Sequence, residues 1–547
     1  MTELDRAFTD MADATDSSST GGDALVSALI SEGVSQVFGV PGIQLDPAVD
    51  ALYSVQDRIH FTAVRHEQSA TYMADGYART SGKPGVAMVV PGPGMLNATA
   101  GLATAYACST PVLLLVGQIP STMLGRGHGA LHEIPDQTGI LRSLTKWTGM
   151  AESPDHIPHL VHEAFFHMRS GKPGPVAVEL PADILAALTD AEPGAPWPIN
   201  VPHPSEEITA EAVRLIEGSK YPVICAGGGA MHASTELIRF AERINAPIVL
   251  TRESRGCVDS QHPLVLDPLA MRSLRLKADL VIAIGTRLRR SNASPLDIGN
   301  AQVISVNADP DDSRSLEATL HLISDSAVGV GALLDGLTQP TCSDWSASAL
   351  EDVRGDMVRE LAAISPQLEY LTAIRSALPD DGILVTEYTQ IGYVASVAFP
   401  VHAPRSYISP GHQGTLGYGF ATALGAQVGA PNRRVVSLNG DGGFSWTLSE
   451  LSTMNRYRLP CIAIVFNDGF YSNVRRIQRD SYGERYLGTD LENPDYIELA
   501  RAFGVASHRV SSPDQLQQAM REEMRHSRPV LIEVQVGQFP APWSLID

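Results

Sequence analysis

The sequence predicts an α/β protein of three successive domains, each a doubly wound parallel sheet with helices on both faces. Three observations carry that prediction. Short apolar runs of strand length alternate with Ala-rich or helically spaced segments along the chain, the pattern of parallel strands joined by crossover helices. The alternation is broken by the Pro-rich stretch 192–204 and by the polar stretch 338–348. In the last block a Gly-Asp-Gly turn stands between an apolar run and a helix-like segment, as at the carboxyl edge of such a sheet.

In chain order, residues 1–20 are rich in Ser, Thr, Asp and Ala and read as a disordered tail. The first domain covers 21–190, with strands expected at 36–42, 85–90 and 111–117 and helices at 69–80 and 97–107. A linker, 191–204, leads to a central domain, 205–340, with strands at 222–229, 246–251, 278–287 and 301–309. The third domain, 350–547, holds the glycine turn. The length of 547 residues suits about three to four domains. A content of 44% hydrophobic and 18% charged residues supplies several cores. A net charge of −21 without a long basic stretch argues against nucleic acid and anionic membrane surfaces. No run approaches the roughly 18 apolar residues of a membrane span. Five scattered cysteines with no CxxC pair read as reduced core residues of a cytoplasmic protein.

The chemistry is concentrated in the third domain. Gly440-Asp441-Gly442 follows the apolar run 435–439, and Asn467 ends a second run, 461–466. Between them Phe444, Leu448, Leu451 and Met454 recur at roughly helical spacing, so a helix is expected over 443–460. A right-handed crossover sets the two strands side by side, and Asp441 meets Asn467 at one edge. Two oxygen ligands beside a helix start, with open backbone N–H groups, suit a hard cation bridged to a diphosphate.

Gly-Asp-Gly with Asn at this distance resembles the signature of enzymes that use thiamine diphosphate. The order of the three blocks is similar to the acetolactate-synthase-like branch: a pyrimidine-binding, a central and a diphosphate-binding domain. The resemblance implies Mg²⁺ held by Asp441, the Asn467 side chain and the Gly469 carbonyl, with Asp468 where the family usually has a second Asn. Gly440, Gly442, Gly443 and Phe444 then form the cofactor side of the turn, and Thr389 and Gln390 match the segment that reaches the diphosphate. Arg65-His66-Glu67 resembles the segment whose Glu contacts the aminopyrimidine ring. A carboxyl hydrogen-bonded to ring N1′ promotes the imino tautomer, which lets the cofactor's own 4′-amino group take the proton from C2. Burial against an aromatic ring would raise that carboxyl's pKa. The plain alternative for Glu67 is a charge stabilising a helix N-terminus. Pro93 and Asn97 match the pyrimidine-side loop, and Leu416 matches the apolar wedge that keeps the cofactor bent. In the family the residues matching Glu67 and Asp441 come from different subunits, so a homodimer is the minimum unit, with a homotetramer open.

Around the substrate the chain departs from acetolactate synthases. Leu131-His132-Glu133 stands where they carry Phe-Gln-Glu, and Asn473, Val474 and Ile477 where they carry Met, Val and Trp. His132, and less directly His128, could relay protons, and Gln44 aligns with a variable pocket position. Arg475, Arg476 and Arg479 read as a solvated helix face, or as a basic cluster for a carboxylate or CoA phosphate. The segment after His262-Pro263 lacks the glycines of the flavin enzymes, so FAD is not expected, though Gly285-Thr286-Arg287-Leu288 is similar to part of a flavin or nucleotide loop. The reading is a thiamine-diphosphate- and Mg²⁺-dependent lyase or carboligase acting on a 2-oxo acid, with decarboxylation through an enamine. The alternatives are a 2-hydroxyacyl-CoA lyase or oxalyl-CoA decarboxylase, with CoA and ADP as ligands, and a non-catalytic thiamine-diphosphate-binding subunit.

Overall fold

A computed structural model describes residues 19–290, 293–338 and 343–546. The expected tail lies outside these residues as far as position 18. Ser19–Thr20, assigned to it by composition, instead pair antiparallel with Leu188–Thr189 and close the first domain. Thr20 then caps the helix Gly21–Ser31: its hydroxyl accepts the Asp23 N–H (3.2 Å) while the Asp23 carboxylate accepts the Thr20 N–H (2.8 Å).

Each domain is built on a six-stranded sheet whose pairings are all parallel. In the first domain the order is His60–Ala63, Gln36–Gly39, Gly85–Val89, Val112–Gln118, Val176–Pro181, Trp147–Met150. In the third it is Tyr407–Ile408, Ile383–Thr386, Val435–Gly440, Ile462–Asn467, Val530–Gln535, Ala506–Val510. Numbered by chain order within each domain, both sheets therefore run 2-1-3-4-6-5. The central sheet runs 3-2-1-4-5-6, from Val265–Leu266 to Leu320–Ile323. The inner strands are near-continuous apolar runs, as burial on both faces requires.

The first and third domains join along two helices, Glu67–Ser81 and Tyr418–Gly429. Glycines bring them close: a Cβ on Gly76 would stand 2.1 Å from the Thr422 carbonyl oxygen, and one on Gly425 2.0 Å from that of Met73.

The third domain is expected from 350; the helix Ala347–Leu361 packs Leu350, Val353 and Met357 into one core with residues of both the central and the third sheet, and Trp345 donates to the Pro222 carbonyl (2.9 Å). The polar stretch that suggested the boundary falls partly at 339–342, outside the described residues. The single helix expected over 443–460 is three short pieces, Asp441–Phe444, Leu448–Glu450 and Leu451–Arg456. The break is where the Thr447 hydroxyl donates to the Gly417 carbonyl (3.1 Å), a side-chain bond that competes with helix continuation. Cys108, Cys225, Cys257 and Cys461 are free, the last three buried; Cys342 lies outside the described residues.

Candidate active site

The two apolar runs flanking the glycine turn pair in parallel, with Gly440 opposite Phe466, so Asp441 and Asn467 emerge at the same sheet edge. Asp441 Oδ2 accepts the Gly469 N–H (2.8 Å) and the Asn493 amide (2.7 Å). The same Asn493 amide donates to Asn467 Oδ1 (2.9 Å). Asn467 Nδ2 donates to Glu533 (2.8 Å), which fixes the amide with its oxygen toward Asp441. Two oxygens thus converge on one donor, as they would on a cation. The Gly469 carbonyl accepts the Leu491 N–H (2.8 Å). Burial raises the Asp441 carboxyl above its usual range against the pull of Asn493 and the Gly469 and Gly442 N–H groups. Asp468 is pushed up to about 6 by burial and by the charge of Asp441.

The glycines of this turn are demanded by their neighbours. A Cβ on Gly442 would stand 2.5 Å from the Tyr471 ring, and one on Gly443 2.2 Å from Glu387 Oε2. Phe444, expected to face the cofactor, instead buries its ring against Phe420 and Tyr496 (5.1 and 5.9 Å), leaving only its backbone at the turn. Thr389 caps the helix Gln390–Ala398 and touches the position of Gly440. Gln390 donates to Asp468 (2.5 Å) and accepts the Phe539 N–H (2.7 Å). Leu416 sits half-exposed between Gly414 and Gly417, whose φ of +60° and +81° shape the loop.

Glu387 is a residue the sequence reading missed. It is buried just after the strand Ile383–Thr386, and its Oε1 accepts the Gly417 N–H (2.6 Å) while the carboxylate faces the N–H groups of Gly440, Gly419 and Tyr418. Burial pushes it up to about 7 even against these donors, and Oε2 has no partner within the chain. Neither Glu387 nor Asn493, which stands before Pro494, carries a local sequence signal for this role.

On the first domain Glu67 opens the helix Glu67–Ser81, whose N-cap is His66. The expected burial against an aromatic ring is not found in one protomer: Glu67 is half-buried, and its Oε2 accepts the Asn97 amide (3.0 Å) at an exposed edge. Gly94 lies beside it, a Cβ there standing 3.5 Å from Glu67 Oε1. Pro93 begins the helix that carries Asn97, and the preceding Gly92 donates its N–H to Gln137 (3.0 Å). Gly92 (φ +57°) packs on the backbone of His132, itself at φ +70°, a strained conformation for a residue with a side chain. The His132 Nδ1 is buried with no partner within the chain. Gln44 donates to the Leu131 carbonyl (3.1 Å), so these residues form one cluster with the Pro93 turn. His128 is exposed.

Leu131, Val474 and Ile477 are exposed, as is Trp446. The Asn473 side chain faces Tyr393. The three arginines do not form an anion-facing cluster. Arg475 is sandwiched between Phe470 and Tyr486 (4.3 and 4.0 Å) and paired with Asp490; Arg476 is buried on the Phe539 carbonyl; Arg479 pairs with Asp480 (2.7 Å). In the central domain the loops after the first and fourth strands touch, Gly229 N–H donating to the Gly285 carbonyl (3.2 Å). Among the described residues no group of three or more His, Cys, Asp or Glu could hold a metal; the candidate uses one carboxylate, one amide and one carbonyl oxygen. A groove of about 740 Å³ between residues 36–63 and 427–460 contains none of these residues.

This fold and site define a thiamine pyrophosphate (thiamine diphosphate) enzyme, and the chain belongs to that family. Residues 19–140 match the N-terminal TPP binding domain, 209–333 the central domain and 388–534 the C-terminal TPP binding domain. Within the family it is acetolactate-synthase-like. It is 33% identical to a probable acetolactate synthase large subunit of Methanocaldococcus jannaschii, covering 95% of this chain and 92% of that one. It is 31% identical to the acetolactate synthase isozyme 3 large subunit of Escherichia coli, covering 94% and 95%. It is equally similar, 33% over 94% of both chains, to a probable 2-ketoarginine decarboxylase of Pseudomonas aeruginosa. Among the described residues no helix is long and apolar enough to cross a membrane.

Proposed function

We propose that this enzyme is Mg²⁺-dependent, works as a homodimer at least, and decarboxylates a 2-oxo acid. The observation that carries the reading is the convergence of Asp441 and Asn467 on the Asn493 amide beside the glycine turn, in a chain that keeps Glu67. Asp441, Asn467 and the Gly469 carbonyl would hold a hard cation, which would link the chain to the diphosphate. Thr389 and the backbone of Gly440–Gly443 would hold the diphosphate, and Leu416 would pack against the cofactor rings. The bound cofactor supplies a thiazolium that acts as an electron sink next to the substrate carbonyl. Glu67 would hydrogen-bond the ring nitrogen and so set the basicity of the amino group. His132 stands ready to hand a proton to the substrate carbon, Gln44 and Asn473 contact the substrate, and Leu131, Val474 and Ile477 keep water out. The exposure of these apolar side chains and of Trp446 in one protomer supports a second copy covering them.

Decarboxylation is favoured over acetolactate synthesis because Leu131, His132, Asn473 and Ile477 replace Phe, Gln, Met and Trp around the acceptor. The likeness to a relative described as a decarboxylase supports the same choice. The internally paired arginines leave the CoA-thioester alternative without support. A screen of 2-oxo acids with thiamine diphosphate and Mg²⁺ should find CO₂ release that Glu67→Gln nearly abolishes. No release from any 2-oxo acid, or equal release by the variant, would refute the reading.

A further inference from the structure

We infer that Glu450, a buried carboxylate of the C-terminal domain, is the positioning residue for Glu67 in the same chain; this rests on the functional reading above. Glu450 has 0% exposure, and both its oxygens accept the Arg65 N–H (3.0 and 3.2 Å). The carboxylate also meets the His66 N–H and the Thr453 hydroxyl. Arg65 and His66 immediately precede Glu67, the first residue of its helix. Backbone N–H groups at a helix start have no intrahelical acceptor, and the His66 ring caps only that of Gln68 (3.2 Å). A partner 385 residues away in sequence supplies what the local segment lacks, and a carboxylate there is further favoured by the helix dipole.

The contact is one of a pair. The Tyr457 hydroxyl accepts the Ala63 N–H (2.8 Å), so the C-terminal domain grips both the end of the strand His60–Ala63 and the turn that follows it. Within its own domain Glu450 ends the second of the three short helices that begin at Asp441. Among the links between the half-site built around Asp441 and the half-site built around Glu67, Glu450 is the one that grips the residues immediately before Glu67. Glu67 has to meet a ring nitrogen at hydrogen-bond distance, and a misplacement of about 1 Å costs on the order of 100-fold in rate. Removing Glu450 leaves the part-buried Arg65 N–H without its acceptor and frees the backbone from which Glu67 projects.

Hydrogen–deuterium exchange of the cofactor-free protein, combined with steady-state kinetics, tests this. In Glu450→Ala the Arg65 and His66 amides should exchange at least about 10-fold faster while the rest of the core is unchanged. The kcat should fall about 10- to 100-fold, with the KM for thiamine diphosphate within about 3-fold. Glu450→Gln, isosteric and still offering one oxygen to Arg65, should be intermediate on both readouts, and it carries the test if the alanine variant does not fold. Unchanged exchange at Arg65 and His66 would overturn the proposal. So would an unchanged kcat, or a kcat loss matched by faster exchange throughout the core. Full turnover of Glu67→Gln would strike the functional reading instead, and the exchange data would still decide whether Glu450 holds this backbone.

Discussion

The first and third domains share one strand order, 2-1-3-4-6-5, yet the turns that follow their third strands are chemically opposite. After Gly85–Val89 comes Val90-Pro91-Gly92-Pro93: two residues have no N–H, and the Gly92 N–H is taken by Gln137. After Val435–Gly440 comes Asp441-Gly442-Gly443, with an N–H on every residue and a carboxylate that shares the Asn493 amide with Asn467. The other loops divide in the same way. After the second strand the first domain presents Glu67 and the third the Leu416 loop; after the fourth, the first presents Leu131 and His132 and the third Asn467 and Asn473. One scaffold is used twice with turns of opposite chemistry, and on the proposed function one suits an uncharged ring and the other a charged tail.

The largest effects should separate the two halves by kind. Glu67→Gln is expected to lower turnover by about 100- to 10,000-fold while thiamine diphosphate affinity, measured by titration calorimetry, stays near wild type. Asp441→Ala should do the reverse in emphasis, weakening cofactor affinity about 100-fold or more, and chelating Mg²⁺ from the wild-type protein should mimic it. Equal losses of affinity in both variants would erase the division of labour.

Smaller effects should follow from the turns themselves. Gly443→Ala pushes a methyl to 2.2 Å from the buried Glu387 carboxylate, and about 2–3 kcal/mol of stability should be lost on chemical denaturation. Gly94→Ala meets a Val90 methyl at 2.6 Å, which can rotate, and should cost about 1 kcal/mol. A reversed order would mean that the N-terminal turn is the more tightly packed of the two.

The smallest effect is a pH dependence confined to the third domain. Glu387 is raised from 4.5 to about 7 in the folded chain, so the folded state binds its proton more tightly than the unfolded state does. That contribution is fully present below about pH 4.5 and is lost as the pH rises through about 7. Glu387→Gln should therefore flatten the decline of denaturation midpoints across this window, and parallel curves for variant and wild type would show that Glu387 does not titrate there.

Much of the fold was legible because parallel strands buried on both faces must be apolar runs. The meeting of Asp441 and Asn467 at one sheet edge was legible because a single crossover joins their strands. The doubled topology was not legible, since the two domains share strand order rather than residues. Glu387, Glu450 and Asn493 were invisible for a related reason: each acts on a segment distant in sequence, Glu450 on Arg65 and Asn493 on both Asp441 and Asn467. The helix expected over 443–460 failed because its apolar spacing says nothing about Thr447 and Glu450 turning outward to other loops.

The central claim is that a bent cofactor is gripped by the Glu67 half of one protomer and the Asp441 half of its partner. Mixing the Glu67→Gln and Asp441→Ala chains, each inactive alone, tests it most directly. Mixed dimers should regain activity, because one of their two sites then combines an intact Glu67 with an intact Asp441. Mixed dimers verified by differential tagging that stay as inactive as either parent would contradict it.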